Sequence, residues 1–289
     1  MLLAGIDIGT LTCRLLIAQV DGKSRLKTVH SDRRLLRLGE GVDREKYLNA
    51  DAMARVVTTL SEWQETIQSH QVDATVVTGT SAIRDARNRP TFLQHIAKST
   101  GITVDVLSGE EEAKRTLLGL RSGLPAQIQN FLGLDIGGGS TECMLCQDGE
   151  EPRLASVALG VVRLTEQVLH HDPPTPAEIR AAENHILDMA EATIEKIGPM
   201  KPCSLVGTAG TITTLSAIAQ GLTVYHPARI HGSQLSLSTI RELEAKLLSY
   251  TQDERQTIPG LEPGRETVIV AGTIILRCFM EYLGFDSAW

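Results

Sequence analysis

The sequence predicts an α/β protein of two domains, each built on a mixed sheet, and three observations carry that prediction. First, one phrase occurs twice: an apolar strand, Asp-Ile-Gly, a hydroxyl-rich loop, then a second strand ending in Asp-Gly. The copies are Ala4-Gly5-Ile6-Asp7-Ile8-Gly9-Thr10-Leu11-Thr12, turning at Asp21-Gly22, and Leu132-Gly133-Leu134-Asp135-Ile136-Gly137-Gly138-Gly139-Ser140-Thr141-Glu142, turning at Asp148-Gly149. The two Asp-to-Asp spacings are 14 and 13 residues. Second, in each half three strands precede alternating helices and strands, the pattern of a sheet with antiparallel and parallel parts. Third, 289 residues suit about two domains.

In the first half, residues 2–8 and 13–20 read as paired strands and 23–29 as a third. Asn49 or Asp51 caps a helix to about Ile67, with Met53, Val56, Val57, Leu60 and Trp63 on one face. A buried strand is expected over 75–78, a helix from Asn88 to the Gly101 stop, and a strand over 102–107. Ser108-Gly109-Glu110-Glu111 reads as a capping box opening another helix, and 123–129 as a linker. In the second half, strands are expected over 131–136, 142–147 and 153–158. A long helix follows over 176–197, entered through Pro173, Pro174 and Pro176. A strand over 204–206, helices after it and over 238–249, a strand over 268–270 and a last helix to about Leu283 complete the reading. The predicted domains are residues 1–124 and 125–274, with residues 275–289 packing back on the first.

Composition narrows the function. Net charge is −7 and apolar content 42%, ordinary for a globular protein and unsuited to general nucleic-acid or membrane binding. No basic region precedes an apolar run at the N-terminus, and the longest apolar stretch, 268–276, is far short of a membrane span. Five cysteines without framework spacing fit a reducing cytoplasm. Cys143 and Cys146 have CxxC spacing inside an apolar strand and read as packed residues. The basic group Arg33, Arg34 and Arg37 reads as a solvated face. His170 and His171, before Asp-Pro-Pro, read as exposed loop.

The repeated loops carry the chemistry. Glycine lets backbone approach a phosphate, hydroxyls and N–H groups donate, and the strand-end Asp is placed to hold a hydrated metal or a water. Gly9, Thr10 and Thr12, and Gly137, Gly138, Gly139, Ser140 and Thr141, are therefore candidate phosphate contacts. On the Ser108 helix, Ala113, Leu117 and Leu120 make the buried stripe, while Glu112 shares a face with the small Thr116 and Gly119. That pattern leaves Glu112 either a general base or a surface acid. Glu142 beside the triple glycine either orients water or a metal, or solubilises a strand end. Arg84 after the Thr78–Ser81 strand end, and Arg163, offer forks for phosphate or face solvent. Gly207-Thr208-Ala209-Gly210-Thr211, at a strand-to-helix junction, reads as an anion nest, with Thr208 and Gly210 as contacts.

At these residues the chain resembles the exopolyphosphatase/guanosine pentaphosphate phosphatase family of the actin–hexokinase–Hsp70 superfamily. The matching stretches run from Asp7 to Arg14, Thr80 to Asn88, Leu107 to Ala113, Asp135 to Glu142, Leu159 to Glu166 and Gly207 to Thr211, in the family order. The resemblance implies two ribonuclease-H-like domains with an active site in the cleft between them. It implies Glu112 as general base, Asp135 and Glu142 as holders of Mg²⁺ and placers of the attacking water, and polyphosphate or guanosine pentaphosphate as substrate. Leu11 stands where many members carry Asn, and the chain ends at Trp289, as in short members. The expected activity is hydrolysis of the terminal phosphoanhydride of polyphosphate. The alternatives are guanosine pentaphosphate hydrolysis, a sugar or acetate kinase, and a non-catalytic sensor. Any protein partner is expected to be a second copy, in a homodimer.

Overall fold

The computed structural model describes residues 1–21, 26–125 and 127–289. The expected Asp21-Gly22 turn and the start of the third strand fall partly on 22–25, outside the described residues. The chain divides into two compact units, Met1–Ser108 and Gly109–Trp289, rather than at 124/125.

In the first unit β1 (Leu2–Ile8), β2 (Thr12–Val20) and β3 (Leu26–Leu35) form an antiparallel run. The short helix α1 (Val42–Glu45) and the long α2 (Ala50–Ser69) lead to β4 (Ala74–Gly79), which lies parallel to β1. Then come α3 (Ser81–Asp85), α4 (Arg89–Thr100) and β5 (Asp105–Val106). Strand order is β3-β2-β1-β4-β5. The Asn49 side chain caps α2 by accepting from the Asp51 N–H, and Gly101 ends α4 in a left-handed conformation, φ 71°, where glycine has no Cβ penalty. Ile6, Ile8, Leu15, Ile17, Val77, Val56, Leu60, Trp63, Phe92 and Ile96 form one core. That core lies on one side of the sheet: alternate β1 and β2 residues are exposed, and Val76, expected to be buried, is 57% exposed.

The second unit opens with α5 (Gly109–Gly123), then β6 (Phe131–Ile136), β7 (Thr141–Cys146) and β8 (Arg153–Val157), again antiparallel. The helix α6 (Val161–Val168) and the 22-residue α7 (Pro176–Ile197) precede β9 (Ser204–Thr208), parallel to β6. Thr175 and Glu178 close a capping box at the start of α7. After α8 (Ala209–Ala219) and α9 (Pro227–Ile230) come β10 (Leu235–Ser236), α10 (Leu237–Ser249), α11 (Gln252–Arg255), α12 (Ile269–Leu283) and β11 (Ser287–Ala288). Strand order is β10-β11-β9-β6-β7-β8, so β8-β7-β6-β9 repeats β3-β2-β1-β4.

Three expectations are corrected. Helix α5 belongs to the second unit because Ala113 and Leu117 bury against Phe131, Met144, Cys146 and Val206. Residues 268–270 are not a strand but the entry to α12, which packs on α6, α7, α8 and α10 of the second unit. An apolar run buried all round has no periodicity to separate strand from helix. Finally, the expected 102–107 strand shrinks to Asp105–Val106.

Candidate active site

The register of the second sheet sets four side chains in one row. Asp135 on β6 pairs with Thr208 on β9 and with Glu142 on β7, and Glu142 pairs with Ser156 on β8. Directly paired residues share a sheet face. Helix α5 crosses this row with residues three and four apart, which lie on one helix face. Gly109 packs against Ser156, Glu112 is close enough for its charge to act on Glu142, and the Thr116 hydroxyl donates to Asp135 Oδ2 at 3.3 Å. The face of small residues that singled out Glu112 is thus the face laid over the acids.

Glu142 is 1% exposed, which removes its reading as a solubilising strand end. Ser156 Oγ donates to its Oε1 at 2.8 Å. Burial, then the charges of Glu112 and Asp135, push its carboxyl well above the usual carboxylate range, against the pull of Ser156 and Ser140 hydrogen bonds. Three acids converge, one of them buried.

Both Asp-Ile-Gly copies close the same turn: Gly9 N–H donates to Thr12 O at 3.1 Å and Gly137 N–H to Ser140 O at 2.9 Å. In both, neighbouring chain pins the loop carbonyls. Thr10 O accepts from Gly39 N–H, and Leu11 O from Leu36 and Arg37 N–H. In the second loop, Gly137 O accepts from Val161 N–H, and Gly138 O from Val162 and Arg163 N–H. Arg163 Nε donates to Gly139 O at 2.9 Å. These peptides are trans, so each N–H points opposite its carbonyl. The amides of Leu11 and Thr12, and of Gly138, Gly139 and Ser140, therefore turn away from the segments that pin them, as an anion nest requires. Gly160 underlies the second loop: a Cβ there would overlap the Gly138–Gly139 peptide.

Not every expected contact has a free hand. The Thr141 hydroxyl is fully buried and donates to Leu159 O at 2.6 Å. Thr10 is buried, with its methyl against Gly39. Leu11 is 6% exposed, so its side chain belongs to the core. Arg84 Nη1 donates to Leu107 O at 2.9 Å, within the first unit. Thr208 ends β9 in the acidic row. Ala209 after it has φ 70°, strained for a non-glycine residue. Gly210 is buried against the guanidinium of Arg265, itself buried. The sequence reading missed Ser156, Gly160 and Arg265 and took Thr116 only as a small neighbour of Glu112; pairing register and close approach would have found their roles, and neither is written in local pattern. All five cysteines are free thiols, as the packed reading of Cys143 and Cys146 requires. Arg34 is ion-paired to Asp32 and Glu62 and lies over Trp63. His171, 70% exposed at its side chain, contacts Glu178.

Acids set in a row beside a glycine hairpin, on a mixed sheet whose strand order is duplicated within the chain, place the protein in the actin-like class of α/β folds. The chain belongs to the Ppx/GppA phosphatase family, whose profile matches residues 16–288. It is 36% identical to exopolyphosphatase 2 of Mycobacterium tuberculosis, over 98% of this chain and 92% of that protein. It is 30% identical to the guanosine-5'-triphosphate,3'-diphosphate pyrophosphatase of Aeromonas salmonicida, over 99% of this chain and 56% of that protein. Among solved structures, an Aquifex aeolicus Ppx/GppA family member aligns with a TM-score of 0.82 and 29% identity, covering 100% of this chain and 92% of that one. An exopolyphosphatase from Cytophaga hutchinsonii aligns with a TM-score of 0.91 and 25% identity, covering 100% and 93%. No helix among the described residues is long and apolar enough to cross a membrane.

Proposed function

We propose that this phosphatase is an exopolyphosphatase, removing the terminal phosphate of inorganic polyphosphate. Water attacks the terminal phosphorus, Glu112 takes its proton, the phosphoanhydride bond breaks, and orthophosphate leaves a chain one unit shorter. The observation that carries this reading is the convergence of Glu112, Asp135 and Glu142 beside the Gly137–Ser140 hairpin. The amides of Gly138, Gly139 and Ser140 bind oxygens of the terminal phosphate. Arg163, whose Nε donates to Gly139 O, places a cation beside the same hairpin.

Mg²⁺ fits the donor set. The acids offer oxygen ligands, and their mutual repulsion is what a hard cation relieves. No cluster of three His, Cys, Asp or Glu side chains forms a ready metal cage among the described residues; Mg²⁺ ordinarily uses one or two carboxylates with waters and substrate phosphates. Asp135 and Glu142 would hold it. When bound, the ion neutralises charge on the transferring phosphoryl group.

Polyphosphate is favoured over guanosine pentaphosphate because the chain is more similar to the Mycobacterium exopolyphosphatase, at 36% identity, than to the Aeromonas pyrophosphatase, at 30%. Few aromatic residues are present to stack a guanine. Phosphate release from short polyphosphate, guanosine pentaphosphate and ATP, with and without Mg²⁺, tests this directly. Higher kcat/KM on guanosine pentaphosphate overturns the substrate; release from none of them with Mg²⁺ overturns the activity.

A further inference from the structure

Glu142 has a structural problem that its neighbours solve. A buried carboxylate repelled by two others has every reason to rotate away from them, yet its position decides whether the row of acids works as a unit. Ser156 is its direct cross-strand partner on β8, and the Ser156 hydroxyl donates to Glu142 Oε1 at 2.8 Å. A hydroxyl rotor is free to swing unless something sets the serine. Gly109, the first residue of α5, does so: a Cβ on Gly109 would lie 2.5 Å from Ser156 Cβ and overlap Ser156 Oγ. Only a residue without a side chain lets the start of α5 rest on β8 at this point. Glu112 lies one helical turn further along the same helix.

We propose that Ser156 is a positioning residue for hydrolysis: its hydroxyl fixes the Glu142 carboxylate, and its contact with Gly109 fixes the helix that carries Glu112. One seryl side chain thereby sets two acids relative to each other, from a strand that neither of them occupies. The inference rests on the proposed reading of Glu112 and Glu142 as working groups of the hydrolase.

The experiment is a double-mutant cycle in the full chain, with kcat and KM on short polyphosphate measured separately and thermal unfolding followed in parallel. Ser156→Ala is expected to lower kcat about 10- to 100-fold, the rate equivalent of losing one hydrogen bond to a charged group, with KM changed less than about two-fold, since the serine touches no substrate. In a Glu142→Gln background the same substitution is expected to change kcat little further, because the carboxylate it serves is gone. The unfolding data should show the same coupling between positions 156 and 142. Gly109→Ala should lower kcat at least as much as Ser156→Ala. If Gly109→Ala does not fold, the Ser156/Glu142 cycle decides alone. Full kcat in Ser156→Ala, or an equal loss with and without Glu142, overturns the proposal while the reading of the acids stands. Wild-type rates in both Glu142→Gln and Glu112→Gln overturn that reading and this proposal together.

Discussion

The two units lay out the same row but put opposite charges at one matching place in it, Glu142 in the second and Arg14 in the first. In the second unit the row runs Thr208, Asp135, Glu142, Ser156 across β9, β6, β7 and β8. In the first it runs Thr78, Asp7, Arg14, Arg33 across β4, β1, β2 and β3. Thr and Asp recur at matching places, and the two hairpins close with the same hydrogen bond. Where the second unit has Glu142, sealed from water, the first has Arg14, exposed. The difference follows from what covers each sheet. Every residue of β7 is buried, because α5 packs on it as well as α7; β1 and β2 bury alternate residues, apart from the adjacent Ile17 and Ala18. An unscreened buried acid has a perturbed pKa, as a reactive group often does. An exposed arginine keeps its charge and can meet a polyanion. One duplicated scaffold thus yields an acidic row with a buried carboxyl at its centre and a row with an exposed arginine in the same place.

The strongest way to break this comparison is to neutralise the acid that the second unit adds from α5. Glu112→Gln is expected to lower kcat about 10²- to 10⁴-fold, the usual contribution of a positioned general base, while the exposed Glu111→Gln changes it little. Steady-state phosphate release on both variants checks this. A large loss at Glu111 and none at Glu112 would move the base by one residue.

The next largest effect concerns what supports each hairpin. A Cβ at Gly160 would collide with the Gly138–Gly139 backbone, whereas a Cβ at Gly39 would meet the Thr10 side chain. Backbone in a pinned loop cannot give way, but a side chain can turn. Gly160→Ala should therefore cut kcat/KM at least about 10-fold, the scale on which small misplacements cost catalysis, and Gly39→Ala should cost clearly less. Equal losses would mean that the two loops are equally rigid.

Leu11→Asn sharpens the same contrast. Leu11 is a core side chain at the position of Gly139, so a carboxamide there would be buried at a cost of about 1–3 kcal/mol, read as a lower midpoint in urea unfolding. Activity at 25 °C should change little, because the loop presents amides rather than this side chain. A gain in phosphate affinity instead would assign position 11 a direct polar contact.

The smallest expected effect is on stability. The folded-state pKa of Glu142 is raised, so its protonated form stabilises the fold below the unfolded value near about 4.3, and that contribution is lost as pH rises through the folded value. Glu142→Gln removes the charge, keeps an acceptor for Ser156 and adds donors toward Glu112 and Asp135. With chelator present it should raise the Tm by a few degrees at pH 7–8, with the gain vanishing below about pH 4. A lower Tm at pH 8 would show that the ionised carboxylate is well compensated.

Local sequence specified the duplicated phrase and most helices and strands, and marked Glu112, Asp135 and Glu142 as candidates. Those follow from local rules: Asn49, one of the two caps expected for α2, caps it through its side chain, and Gly101 stops a helix because it enters the left-handed region without strain. Tertiary structure alone decided three things. It assigned α5 to the second unit, since Ala113 and Leu117 bury equally well against any apolar surface and only packing chooses which. It made residues 269–283 a helix throughout, because a run buried on every side carries no period. It brought Ser156 and Thr116 within one hydrogen bond of the acids and set Thr208 beside Asp135 in the register, because strand pairing and the absence of a Cβ at Gly109 join residues far apart in the chain.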